Sequence, residues 1–130
     1  MMDIMKLEVV TPLGLIFSKQ IKQVTLPGSE GEFGILPGHA SLVSLLKAGV
    51  IDIELEDGRH EVVAINWGHV KVDESKVTVL ADGAVSVHGG SESEIASSID
   101  AAKKLIESMS DSEVAIATAK AKIESIARKR

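Results

Sequence analysis

Apolar and acidic residues alternate strictly along Ile51-Asp52-Ile53-Glu54-Leu55-Glu56. A period of two places Ile51, Ile53 and Leu55 on one buried face and the carboxylates in water, which predicts a strand. Asp57-Gly58 supplies a turn, and Glu61-Val62-Val63-Ala64-Ile65 resumes as the second strand of a hairpin. A second hairpin is predicted where Val70-Lys71-Val72 and Val77-Thr78-Val79-Leu80 flank Asp73-Glu74-Ser75-Lys76. Lys6 to Val10 and Gln20 to Leu26 supply further strands. Short strands with turns at this spacing indicate an antiparallel β-sandwich or flattened barrel over residues 1–88. His39 to Ala48 fits two periods: Leu42, Leu45 and Leu46 stand at helical spacing, while Val43 and Leu45 also suit a strand. Periodicity does not decide so short a segment.

The period changes at His88-Gly89-Gly90-Ser91, and beyond this hinge there is no Gly, Pro or aromatic residue. Ser91 followed by Glu94 forms a capping box, the serine oxygen accepting a helix N–H and the glutamate reaching back. Ile95, Ile99, Ala102, Ile106 and Met109 then recur at spacings of four and three, a helical stripe. Ser110 and Glu113 repeat the capping box, and Ile116, Ala119, Ile123 and Ile126 form a second stripe. Two antiparallel helices are therefore expected over residues 89–130, with alanines allowing close approach at their seam. Each is shorter than about 20 residues, and isolated helices of that length are marginal in water. The pair must lean on the sandwich or on a partner, and a hairpin beyond a Gly-Gly hinge is a candidate for changing neighbours.

Composition narrows the function classes. In 130 residues the aromatics are only Phe17, Phe33 and Trp67, so the core is aliphatic and stacking platforms for bases are nearly absent. The net charge of −5 resides in residues 1–90, which carry 12 acidic and 7 basic side chains, and no basic footprint for nucleic acid appears. There is no cysteine, which excludes disulfides, thiolate metal sites and cysteine nucleophiles. Asp3 and Glu8 interrupt the apolar N-terminal stretch, which does not read as a signal peptide. No apolar run approaches the roughly 20 residues that span a bilayer.

Catalytic constellations are equally thin. His39, His60, His69 and His88 do not stand at metal-ligand spacing. His60 reads as a solvated histidine and His69 as one able to cap backbone groups. Ser41 beside His39 lacks the Gly-x-Ser-x-Gly elbow that exposes a nucleophile. Asp52, Glu54 and Glu56 share one face of one strand, as a solvated face does, whereas paired catalytic carboxylates come from facing elements. Gly28-Ser29-Glu30-Gly31-Glu32-Phe33-Gly34 is glycine-rich, but its two carboxylates oppose a phosphate cradle. It reads as a protruding loop that either presents Glu30 and Glu32 or is merely a solvated turn. Lys120, Lys122, Arg128, Lys129 and Arg130 make the C-terminus basic; they complement a helix dipole or dock on an acidic partner.

The run Gly28-Ser29-Glu30-Gly31-Glu32-Phe33-Gly34-Ile35-Leu36-Pro37-Gly38-His39-Ala40 closely resembles the signature of the epsilon subunits of bacterial F-type ATP synthases. Val9-Val10-Thr11-Pro12 and Val77-Thr78-Val79-Leu80-Ala81-Asp82 match in order and spacing, and the resemblance covers essentially the whole chain. It implies a flattened antiparallel β-sandwich of about ten strands followed by a two-helix hairpin, with His39 to Ala48 mainly extended and kinked. It also implies a non-catalytic rotor subunit of a proton-translocating synthase, peripheral at the cytoplasmic face of the bacterial plasma membrane and touching the membrane only through the complex. Its partners are the gamma subunit, the c-ring, and the alpha and beta subunits of the catalytic head, with no nucleic acid.

The same resemblance assigns Glu30 and Glu32 to the c-ring contact and His39 to the gamma contact. The helical hairpin of the family either folds down on the sandwich or extends into the head and inhibits ATP hydrolysis. Lys120, Lys122, Arg128, Lys129 and Arg130 then form the inhibitory tail. Some members bind ATP through Ile/Leu-Asp-x-x-Arg-Ala on the first helix. Here Ile99 and Asp100 match, but Lys103 replaces the arginine and Lys104 the alanine, and lysine lacks the planar fork of arginine. No catalytic residue, metal or resident cofactor is implied. Asn66-Trp67-Gly68-His69-Val70 departs from the common family form, which has glycines followed by Phe or a similar residue, and Trp67 fits either a small core site or the gamma interface. A homodimeric β-sandwich binding module and a small hydrolase using His39 are the alternative classes, and neither accounts for the thirteen-residue match.

Overall fold

The computed structural model describes residues 4–87, 91–108 and 113–128, with the side chains of the last helix described over 116–125. Nine strands come first: β1 (Met5–Thr11), β2 (Gly14–Gly28), β3 (Gly31–Ile35), β4 (Leu42–Leu46), β5 (Gly49–Leu55), β6 (His60–Ile65), β7 (Gly68–Val72), β8 (Lys76–Ala81) and β9 (Ala84–Val87). Two helices follow, α1 (Glu92–Glu107) and α2 (Glu113–Arg128). The strands run β1-β8-β7-β4-β2-β5-β6-β9, with β3 beside β2 and β1 also paired to β2. The long strand β2 is what folds this sheet on itself. Its first half pairs with β1 and its second half with β5 and β3, and the register shifts between Ile21 and Gln23. One pairing departs from the antiparallel expectation: β1 runs parallel to β8.

Both predicted hairpins form, β5–β6 and β7–β8. Gly58 turns the first with φ +87°, a left-handed conformation that a side chain resists. The Asp57 carboxylate accepts from the Arg59 backbone N–H at 3.1 Å and from Arg59 Nε at 2.7 Å. The bond from the Arg59 backbone, then that from its side chain, holds Asp57 below the usual aspartate range. In the second turn Asp73 accepts from the backbone N–H groups of Ser75 and Lys76. The ambiguous segment resolves as an irregular stretch leading into a strand, β4, and not a helix.

The inward residues of both layers interlock in one aliphatic core. Leu7, Val9, Val70 and Val79 come from one side and Ile21, Val24, Ile51 and Ile53 from the other. A second, smaller cluster lies outside the sandwich. On β5 and β6 the outward positions Val50, Val62 and Ala64 are as buried as their inward neighbours Ile51, Val63 and Ile65. With Val87 they form a wall against which Ile99, Ala102, Ile106 and Ile123 of the helices pack. This explains why β6 reads as a continuous apolar run: strands covered on both faces lose alternation. The Ser91 cap is realised, its Oγ accepting from Glu94 N at 3.3 Å. The Gly89-Gly90 hinge, the Ser110 cap, Met109, the Arg128 side chain, Lys129 and Arg130 lie outside the described residues.

A partner-binding face and a clamped helical hairpin as the candidate functional site

The outer face of β1, β8, β7 and β4 mixes apolar and polar residues, and among the described residues no helix packs on it. Its strand register aligns Val10, Leu80, His69 and Leu45 in a row across four strands. A second row, Glu8, Thr78, Lys71 and Val43, runs beside it. Val43 is 72% exposed and Leu45 65%, and Leu80 and Trp67 are also well exposed. Leu13 and Leu15 extend the apolar surface at the β1–β2 turn. A crevice of about 340 Å³ opens here between Val10, Thr11, Trp67, His69 and Leu80. Exposed apolar side chains gathered on one face make it a candidate for association. Lys76 and Glu8 border it with a 2.8 Å ion pair. Hydrogen bonding from Lys76 holds Glu8 below the usual glutamate range, and the same bond raises Lys76 above the lysine range.

Trp67 is therefore a surface residue and does not fill the core. Its backbone N–H donates to Asn66 Oδ1 at 2.9 Å, and Gly83 N donates to the same oxygen at 2.7 Å. Asn66 Nδ2 in turn donates to Asp82 Oδ2 at 2.9 Å. One buried asparagine thus fixes the β6–β7 turn that presents Trp67 against the β8–β9 turn. Leu105 of α1 rests on the same spot, since a Cβ on Gly83 would stand 3.3 Å from its methyl carbon.

His39 lies half-buried in the stretch before β4. Its Nδ1–H donates to the Ala40 carbonyl at 2.7 Å, because a carbonyl can only accept, which leaves Nε2 without that proton. The preceding loop is pinned by Gly38 N to Glu74 O and by His39 N to Leu36 O, both at 3.1 Å. His60 differs from its solvated reading: its Nδ1–H donates to Asp52 Oδ1 at 2.9 Å, so Asp52 is paired too. His69 stands in the exposed row.

The glycine-rich segment is a tight β2–β3 hairpin and not a loop. Gly28 and Gly31 are partners, leaving Ser29-Glu30 as the turn. Ser29 N donates to Leu45 O at 3.0 Å, which ties this tip to β4. Gly28 has no room for a side chain, since a Cβ would meet the Gly31 carbonyl at 2.6 Å and the Phe33 ring at 2.7 Å. Glu30 is exposed at the tip. Glu32 stands on β3, and its Oε2 accepts from Lys122 Nζ of α2 at 2.5 Å.

The helical residues are engaged in a network of ion pairs. Ile99 is buried in the second cluster, Asp100 pairs with Lys104 at 3.1 Å one turn on, and Lys103 reaches Glu124 at 2.6 Å across the hairpin. Lys120 pairs with Glu107, also across the hairpin. The residues suggested for a nucleotide are thus brought together, with Ile99 facing the sheet and the two charged ones held by internal partners. Among the described residues, no group of three or more His, Asp or Glu is placed to hold a metal ion, and no helix is long and apolar enough to cross a membrane.

Residues 4–87 match the family model of the ATP synthase delta/epsilon chain β-sandwich domain. The chain therefore belongs to the ATP synthase delta/epsilon chain family. Within it, the similarity to ATP synthase epsilon chains extends through the helices. The epsilon chain of Campylobacter fetus is 65% identical over 129 residues, covering 99% of this chain and all of that one. That of Nitratiruptor is 60% identical over 127 residues, 98% of each chain, and that of Wolinella succinogenes 56% over 128 residues, 98% of each. The fold is shared with a chain in the Euglena gracilis mitochondrial ATP synthase assembly of OSCP, F1 and c-ring, at a TM-score of 0.64 and 22% identity. That match covers 98% of this chain and 76% of the other.

Proposed function

We propose that this chain is a non-catalytic central-stalk subunit of a proton-translocating ATP synthase, peripheral at the cytoplasmic face of the bacterial plasma membrane. In this reading the sandwich fastens gamma to the c-ring, and rotation is carried to catalytic sites on other chains. The observation that carries it is the set of exposed apolar residues Val43, Leu45, Trp67 and Leu80 on one outer face of the sandwich. The other outer wall of the sandwich is sealed by the helices, so this face is left for a permanent partner, and gamma is the partner assigned to it. His39, at the edge of the same face, belongs to that contact, and the Glu30–Glu32 tip is the part that meets the c-ring. The test is co-purification with the cognate gamma subunit at physiological salt. A one-to-one complex is expected, abolished by Leu45→Asp or Leu80→Asp and weakened by substitution at His39. A chain that stays alone, or pairs only with itself, would favour the binding-module class instead.

The helical hairpin is assigned to restraint of ATP hydrolysis. Its attachment supports this: among the described residues, Ile99, Ala102, Ile106 and Ile123 meet four small wall residues, a far smaller cluster than the main core. Lys122 is paired with Glu32 of the sandwich when the hairpin is docked, so it becomes available to alpha and beta only on release, whereas Lys120 keeps its Glu107 partner within the hairpin. Deleting residues 91–130 from the assembled complex is expected to raise its hydrolysis rate, and an unchanged rate refutes the assignment. Regulatory ATP is not part of the proposal. A nucleotide at Asp100 and Lys103 would have to compete with Lys104 and Glu124. Titration calorimetry on the isolated chain is expected to show no affinity in the micromolar range.

A further inference from the structure

Among the described residues, four ion pairs of the helices fall into two kinds. Asp100–Lys104, Lys103–Glu124 and Lys120–Glu107 act within the hairpin and travel with it. Lys122–Glu32 crosses from α2 to β3, over 90 residues of sequence, and must break whenever the hairpin leaves. Lys122 is the more enclosed partner, its side chain 22% exposed against 56% for Glu32. Both line a crevice of about 280 Å³ between α2 and the sandwich, and Lys47 lines it too. Glu32 therefore shares that crevice with Lys47 and is paired there with Lys122. It also stands two residues from Glu30 at the tip, with its carboxylate still more than half open to solvent.

We propose that Glu32 is a shared carboxylate, held by Lys122 while the hairpin is docked and offered to a cationic group on the surface the tip meets once α2 lifts. The inference rests on the rotor reading for the identity of that surface, the c-ring, but not for the pair itself. Two groups that compete for one carboxylate are linked reciprocally. Engagement of the tip by a cation weakens α2 docking, and docking of α2 weakens the tip contact by the same factor. An exposed pair of this kind shifts an equilibrium by about two- to five-fold, and salt screens it. The device therefore biases the hairpin without locking it.

The pair is tested by amide hydrogen exchange over residues 118–125 of the full chain at low salt. Glu32→Gln and Lys122→Gln are each expected to raise exchange about two- to five-fold, and the double variant no further than either alone. Reversal of both charges, Glu32→Lys with Lys122→Glu, should restore protection. Additive effects, or unchanged protection, overturn the pair. Sharing is tested by binding to purified c-ring–gamma. The Lys122→Gln chain should bind about two- to five-fold more tightly than the parent, and added Glu32→Gln should remove the gain. Equal affinities overturn the sharing. Absence of binding by every variant overturns the rotor reading along with it, while the exchange experiment still decides the pair.

Discussion

Replacement of Ile123 by alanine separates the two hydrophobic clusters of the molecule. Ile123 is fully buried and, among the described residues of α2, is the buried one that packs with α1 and the Val50, Val62, Ala64 wall. Truncating a buried isoleucine to alanine costs about 2–5 kcal/mol, and at a seam that can close partway a value of about 3 kcal/mol is expected. That is roughly a hundredfold in an equilibrium constant. The wall is lined mainly by valine and alanine, so a loss of this size removes much of what docks the hairpin, and undocked helices of 16 residues do not persist. The sandwich core shares no member with that cluster and should survive. Two probes report separately. Far-ultraviolet dichroism at about 222 nm follows the helices, while the single Trp67, in a chain with no tyrosine, reports the sandwich. The expected result is a helix transition well below the Trp67 transition, which itself hardly moves. If both probes shift together, by about 10 °C as a single cooperative unit of this size requires, the two-cluster reasoning is refuted. Ile53→Ala, in the main core, is the control that should lower both.

Three further outcomes follow from the geometry. Gly28→Ala forces a methyl group against the Gly31 carbonyl and the Phe33 ring, and should cost about 1–3 kcal/mol, read as a lowered Trp67 transition. Asn66→Ala leaves the Trp67 and Gly83 N–H groups without their acceptor; a loss of about 1–3 kcal/mol is expected, with a shift in Trp67 emission from a loosened turn. The carboxylates of Glu8 and Asp57 are held below their ordinary ranges, so the unfolded chain takes up their protons first as pH falls. Their stabilisation is complete above the ordinary carboxylate range and disappears as pH drops through the depressed folded values. Glu8→Gln should flatten the acid limb of a denaturation profile, and an unchanged limb contradicts the assignment.

Much of this fold is legible in the residues because local chemistry and tertiary environment agree. Ile51 to Glu56 alternates because one face of β5 meets the core, and Asp57-Gly58 turns because glycine tolerates the left-handed backbone. The Ser91 cap and the Ile99, Ala102, Ile106 stripe place α1 correctly. Illegibility begins where glycine dominates. Gly31 to Ile35 carries two glycines and a glutamate, so β3 reads as a loop, and only its register with β2 makes it a strand. The first half of β2 and all of β9 escape for a related reason, since their support comes from β1 and β6 far along the chain. The partner face left a faint signal: Leu42-Val43-Ser44-Leu45-Leu46 places apolar residues on both sides of one strand. Nothing in sequence spacing could join Glu32 to Lys122, because pairing between a helix and a distant strand depends on the finished packing.

The wall beneath the helices also sets an order of events during synthesis. Val50, Val62, Ala64 and Val87 are all made before Ile99 and Ile123, which cover them. At about 5–20 residues per second, the stretch from Val87 to Ile123 takes roughly 2–7 s to appear. For that interval a nascent sandwich carries a bare aliphatic surface on one flank. Asp52 and Glu54 lie on the same outward side of β5 as Val50, and His60 stands opposite Glu54 on β6. Charges set among exposed apolar strand positions discourage pairing with other chains. The acidic half of the alternating pattern in β5 thus guards the growing chain against its neighbours until its own last helix arrives.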